Sequence, residues 1–340
     1  MHTPSHSSSR ARGAVVVFAV ASLLLTGCGS AVTTTPAATD APGAVTVENC
    51  GSEVTVSGVP TAAVGMHPAQ TELLLRLGLA EHLAGQAQAT AATLPPDIAA
   101  LAQGIPVIGG MMPPSREELL SVEPDFVYSP TTYEFSADQG FASIPQLTDA
   151  GAAVYVASGG CADRRMNGEV TDLFTDLADI GEIFGVQAQA AELIAENRAV
   201  LDEVARAISG VDKLRVAQVY YEGGTLQAIG AGIEYDILRL AGSDSVYTPD
   251  QDLFARFFAA TITPESLAAE DPDAIVFSTW APEHEAETRD YLRRTFPDMP
   301  AVRDDRVIAV SSADVFPGTL GNVAVVRQIA EQLYPAQFSR

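Results

Sequence analysis

The chain has 340 residues, 19 Lys and Arg against 43 Asp and Glu, and a formal net charge of −24. That length accommodates two domains, each with its own core. A hydrophobic fraction of 47% with 18% charged residues describes a folded chain rather than a disordered one. So acidic a composition excludes nucleic acid as the main partner, because phosphate recognition needs basic stripes.

In chain order, Arg10 and Arg12 precede an apolar run from Ala14 to Leu25, which leads into Leu25-Thr26-Gly27-Cys28. A basic start and an apolar stretch of about a dozen residues fit a signal peptide, and are too short for a bilayer core of about 30 Å. Small residues ahead of a cysteine resemble the bacterial lipobox, in which residues 1–27 are cleaved and Cys28 carries the lipid. A plain secretory signal with an incidental cysteine is the alternative. No later segment is long and apolar enough to span a membrane. The expectation is an extracytoplasmic chain held to the outer face of the bacterial cell membrane by its N-terminal lipid alone. Residues 28–43, small, polar and Pro-containing, read as a flexible tether. Two cysteines then remain, Cys50 and Cys161. In an oxidising compartment an even pair is most simply a disulfide, with two free buried thiols as the alternative. A metal site is disfavoured, since no His or Cys neighbours either residue at ligand spacing.

From Val45 onward, short β-rich runs alternate with helical patterns. Ala62–Met66, Pro106–Ile108, Asp125–Tyr128 and Ala153–Val156 read as strands. Thr71–Leu79 reads as a helix stopped near Gly78, and Arg116–Val122 as a helix N-capped by Ser115. Such alternation implies a parallel sheet with helices on both faces, hence an α/β lobe over residues 44–185. Glu169–Phe184 is one helix and Gly185 breaks it. Gln187–Ser209 is a longer one, apolar at Ala190, Ile194, Leu201, Val204 and Ile208. At 1.5 Å per residue it spans about 35 Å, so residues 186–209 read as a rigid strut. The alternation then resumes over residues 210–340. Strands are expected at Leu214–Tyr221, Ala274–Ser278 and Arg306–Val310, with a turn at Gly223-Gly224. Helices are expected at Asp236–Ala241, Pro264–Ala269, Arg289–Phe296 and Asn322–Leu333. The fold class is α/β: two lobes with central sheets, joined by one long helix.

Signals of catalysis are poor. There is no GxxxxGK[ST] loop and no GxSxG elbow, and His67, His82 and His284 form no HExxH arrangement. The chain reads as no enzyme; a secreted α/β hydrolase is the outside alternative.

Four stretches carry a specific likeness: VGMHPAQTELLLRLGLAEHLAG (64–85), LLSVEPDFVYSP (119–130), ITPESLAAEDPDAIVF (262–277) and MPAVRDDRVIAV (299–310). In this order and spacing the chain resembles the ferric-siderophore and cobalamin substrate-binding proteins of ABC transporters, over about Val45 to Phe338. ENCG (48–51) with Cys161, and DIGEIFGV (179–186), resemble a disulfide-bearing branch of that family. The resemblance implies a ligand cleft between two lobes that hinge only slightly about the single linking helix. It also implies a monomer that delivers its cargo to a permease dimer with a cytoplasmic ATPase. The ligand is expected to be an Fe(III) siderophore chelate, with corrinoid or haem as alternatives and no permanently bound cofactor. A bare transition-metal ion is disfavoured by the scarcity of histidine.

Cleft residues are expected on loops at the C-terminal ends of strands. By resemblance, the loop 109–116 contacts ligand, making Met111, Met112 and Arg116 candidates; the arginine would meet anionic chelate oxygens. His67, Tyr133, Tyr221, Tyr235, Arg256, Phe257 and Trp280 complete the candidate set. The resemblance further implies one surface Glu per lobe for permease docking, assigned to Glu134 and Glu265.

Overall fold

Parallel strands buried on both faces read as unbroken apolar runs, and two sheets with such strands organise residues 43–339, which the computed structural model describes. The expected signal peptide, the lipidated Cys28 and all of the tether but Gly43 lie outside the described residues.

A hairpin comes first, β1 (Ala44–Asn49) and β2 (Ser52–Ser57), turning through Cys50-Gly51. Five strands follow: β3 (Ala63–Gly65), β4 (Leu83–Ala87), β5 (Val107–Ile108), β6 (Phe126–Ser129) and β7 (Ala153–Val156). They form an all-parallel sheet in the order β5-β4-β3-β6-β7. Four helices, α1 (Pro68–Arg76), α2 (Pro96–Leu101), α3 (Arg116–Leu120) and α4 (Ile144–Asp149), supply the crossovers. The sequence expectation of a parallel α/β lobe is met. Helix α3 starts at Ser115 as expected, with a reciprocal capping box to Glu118.

From β7 the chain passes through α5 (Asp172–Ile183) and α6 (Gln187–Ala207), the latter within the segment read as a strut, into the second sheet. Its strands are β8 (Arg215–Glu222), β9 (Thr225–Ile229), β10 (Asp244–Ser245), β11 (Ala259–Thr261), β12 (Ala274–Thr279) and β13 (Val307–Ser311). The order is β11-β9-β8-β12-β13, with β10 beside the start of β8. Strands β8, β12 and β13 are parallel, whereas β9 and β11 are antiparallel additions. The alternation of strands and helices gave no sign of these two, because β9 returns directly through the tight Gly223-Gly224 turn and has no crossover helix. The remaining helices are α7 (Gly232–Leu240), α8 (Pro264–Glu270), α9 (Pro282–Thr295), α10 (Pro300–Arg303), α11 (Gly321–Leu333) and α12 (Pro335–Phe338). Helix α9 begins at Pro282 rather than Arg289, its first turn carrying Glu283 and Glu285 where the helix dipole favours acids.

One apolar cluster runs through both lobes. It joins Phe126, Tyr128 and Tyr155 of the first sheet to Val216, Val276 and Ile308 of the second, through Leu177, Ile180, Ala190, Val204, Val326 and Ile329 on α5, α6 and α11. Side chains close the outer strands. Asn49 both donates to the Val156 carbonyl (2.7 Å) and accepts from the Val156 amide (2.9 Å) on β7. On β13, Arg289 donates to the Val307 carbonyl (2.8 Å) and Gln328 to the Ala309 carbonyl (2.9 Å).

Cys50 and Cys161 are disulfide-bonded across a sequence separation of 111 residues. The bridge ties the hairpin to the loop after β7, so free thiols are ruled out as the reading of this pair. Loop-closure entropy assigns it roughly 3–5 kcal/mol. Replacing both cysteines by serine should lower stability by that order in urea unfolding, and a reductant should do the same to the unmodified protein but not to the variant.

Candidate ligand-binding cleft

In an open parallel sheet, the loops beyond the strand C-termini diverge where the strand order reverses. That point lies between β3 and β6, and the loops there carry His67 and Thr131–Glu134. His67 is 4% exposed. It N-caps α1, its Nδ1 accepting from the Ala69 amide at 3.3 Å, and it stacks on Phe316 of the second lobe with ring centroids 4.9 Å apart. Burial holds its imidazole neutral, lowering its pKa to about 4.

The opposite wall comes from the second sheet. A cavity of about 380 Å³ is lined by Tyr220, Gln227, Ile233, Glu234, Phe257, Phe258, Ser278 and Trp280, facing Thr131, Gly159 and Arg165. Through Thr131, Arg165, Trp280, Ser312 and Phe316 it adjoins a second hollow of about 540 Å³. This hollow reaches His67, Gln88, Met111, Met112, Tyr133, Glu134 and Glu222. The walls are largely aromatic and thioether, and Trp280 lies stacked on His284 (centroids 5.3 Å, 18°). His284 is itself fixed by a 2.7 Å contact to the Tyr221 carbonyl.

Two carboxyls flank Arg165. Glu134 accepts from Thr131 Oγ1 (2.6 Å) and Ser129 Oγ (3.2 Å), and burial raises its pKa against those bonds and against Arg165. Glu234, at the start of α7, is hydrogen-bonded by Gln218. Burial pushes its pKa up to about 7, while Gln218 and Arg165 favour its charged form. The Arg165 guanidinium sits over Phe258 (5.0 Å) and Phe257 (5.9 Å). Among the described residues, no group of three or more His, Cys, Asp or Glu is placed to hold a metal ion.

The model of the periplasmic binding protein family matches residues 64–313. The chain belongs to this family. It is 24% identical over 310 residues to the uncharacterized ABC transporter substrate-binding lipoprotein YvrC of Bacillus subtilis, covering 86% of this chain and 87% of that one. A periplasmic binding protein from Veillonella parvula shares its fold with a TM-score of 0.75 at 24% identity, covering 86% of this chain and 98% of the other. So does a protein of an ABC-type Fe3+-hydroxamate transport system from Saccharomonospora viridis, with a TM-score of 0.69 at 23% identity, covering 85% and 98%.

In this binding protein, His67, Met111, Met112, Tyr133, Phe257 and Trp280 lie on the cleft. Four other expected contacts do not. Arg116 opens α3 on an outer face with Glu117, Ser121, Gln146 and Asp149, because the chain turns away after Pro114 to enter the helix. Tyr221 packs against Tyr291 of α9 (3.9 Å, nearly parallel), on the far face of the sheet. Strand alternation puts its neighbour Tyr220 in the cleft instead. Tyr235 on α7 and the exposed Arg256 line neither hollow, although Glu234 and Phe257 beside them do. Glu134 is not a surface glutamate at all: it is 4% exposed, its carboxylate folded back onto the Thr131 and Ser129 hydroxyls. Glu265 is exposed, on the first turn of α8.

Arg165, Glu234, Tyr220 and Phe316 were missed. The one signal available for Arg165 was its place four residues after Cys161, in a loop that a disulfide anchors.

The His67 imidazole titrates near 6.5 in the unfolded chain and near 4 when folded, so the unfolded state binds more protons between these values. Its contribution to stability is therefore full above pH 6.5 and is lost as pH falls toward 4, by roughly 3 kcal/mol. Urea unfolding of His67→Gln at pH 7 and pH 4 should show a pH difference smaller by about that amount.

Proposed function

We propose that this chain is the substrate-binding component of an ABC importer, and that its cargo is an iron(III)–siderophore complex. The observation that carries the reading is that half of the exposed large apolar side chains among the described residues collect in one place. Met111, Met112, Tyr133, Phe257 and Trp280 are each 45–55% exposed, and all five line one cleft. Apolar surface left open in one concave site marks a place for an organic ligand. The walls suit a bulky chelate better than a bare ion, which would require clustered ligand side chains. The Fe3+-hydroxamate system to which the fold is similar supports the same reading. On this proposal Cys28 bears the lipid that holds the protein outside the cell, and a permease dimer with its ATPase takes the cargo.

Trp280 is the only tryptophan of the chain and stands in the cleft, so its fluorescence reports occupancy from a single source. Titration with ferric siderophores should give saturable quenching below micromolar concentration, absent with the iron-free siderophore. Quenching by haem or cobalamin with silence from every ferric siderophore would overturn the cargo assignment.

Exposed on the first turn of α8, Glu265 offers a carboxylate that a basic permease pocket would meet. Glu265→Arg is expected to cut cellular uptake at least fivefold while leaving the affinity measured by Trp280 fluorescence unchanged. A matching loss of affinity would remove Glu265 from docking.

A further inference from the structure

A cleft selects its ligand's charge by the charges it presents, and here they are few and lopsided. Among the described residues, Arg165 is the only cation lining either hollow; Glu134, Glu222 and Glu234 also line them. The neighbouring Arg164 is committed to Asp172, by two contacts of 2.7 and 2.9 Å. The only lysine of the chain, Lys213, lies in the loop before β8, at the opposite end of that strand from the cleft. With Glu134 and Glu234 both ionised, the lining carries −2. With both protonated it is neutral, Arg165 balancing Glu222. With Glu222 ionised, no protonation state of Glu134 and Glu234 turns it positive, and His67, neutral at pH 7, adds nothing.

Iron(III) siderophores divide sharply on this property. Three hydroxamates, each −1 once the N–OH proton is lost, cancel the charge of Fe³⁺ and leave a neutral core. Three catecholates, each −2, leave a complex of −3. Taking a trianion out of water demands several compensating cations, and this cleft has one, already flanked by two carboxyls. A neutral core needs only hydrogen-bond donors and apolar walls. Thr131, Gln227, Ser278 and Ser312 supply the former, and Trp280 and Phe257 the latter. A cationic arm on the same core would find Glu222, which already accepts from Tyr220 Oη at 3.1 Å near Trp280.

We infer that the cleft takes a neutral or cationic iron(III) chelate of the trishydroxamate kind and rejects tricatecholates. The inference rests on the siderophore reading above. The decisive experiment titrates the full chain, by Trp280 fluorescence at pH 7.5, with ferrichrome (neutral), ferrioxamine B (cationic) and ferric enterobactin (−3). At least one of the two hydroxamate complexes should bind at least 100-fold more tightly than the catecholate. Equal or tighter binding of ferric enterobactin would overturn the charge argument while leaving the siderophore reading intact. If none of the three binds and haem or cobalamin does, the siderophore reading itself fails, and this inference with it. Glu222→Gln, at an exposed position that does not endanger folding, provides an internal check. It should weaken ferrioxamine B relative to ferrichrome by about threefold to tenfold, and an unchanged ratio would remove Glu222 from charge selection.

Discussion

The cleft exists because backbone carbonyls of one lobe are held by the other. Gln70, wholly buried on α1, donates to the carbonyls of Pro317 (3.1 Å) and Gly318 (3.2 Å), and Tyr128 at the end of β6 donates to Gly318 as well (3.4 Å). Gly318 has φ +69°, and a Cβ there would lie 2.5 Å from that of Ala157 and 2.7 Å from the Tyr128 hydroxyl. No other residue fits. Across the seam the carbonyl of Arg165 comes within 2.6 Å of where a Cβ on Gly232 (φ +70°) would stand, and Gly232 donates to the Met166 carbonyl at 3.1 Å. Parting the lobes would strand buried donors and acceptors, at about 1–3 kcal/mol for each group left unpaired. A continuous apolar core beneath them joins the two walls.

Charge gathers at the same seam. Glu134 and Glu234 are carried by separate lobes, on the loop after β6 and the start of α7, and the seam holds both beside Arg165. Each loses hydration on burial and recovers only part of it from hydroxyl, amide and guanidinium partners. A ligand that donates hydrogen bonds into this corner would complete what the protein's own groups leave partial.

Most of the frame was legible in the sequence, for physical reasons. The parallel strands are buried on both faces, and Phe126, Val127 and Tyr128 are wholly inaccessible to solvent, so each reads as an apolar block. Ser115 with Glu118 three residues on announces a helix start. The cleft was legible where a loop directly follows such a strand, as at His67, Met111 and Trp280. It was not legible where a choice of face decides the outcome. Tyr220 and Tyr221 are adjacent tyrosines at the end of one strand, and only the pairing of β8 with β12 and β9 fixes which of them faces the cleft. Glu134 was misread because the short turn after β6 folds its side chain inward onto Thr131, a tertiary outcome with no periodic signature. Arg165 sits in an irregular loop whose course is set by a disulfide, a packed glycine and the opposite lobe, none of them local.

The side chains that close the outer strands bear on how the protein behaves beside other copies of itself. An open strand edge is a template on which another polypeptide can add. Here β5 is two residues long and β11 three. On β7 the Asn49 carboxamide supplies both the donor and the acceptor that an incoming strand would bring, and Arg289 and Gln328 occupy outward carbonyls of β13. An amide or guanidinium standing in for a neighbouring strand leaves little backbone to share. A chain built this way can be crowded at high density without its sheets fusing edge to edge.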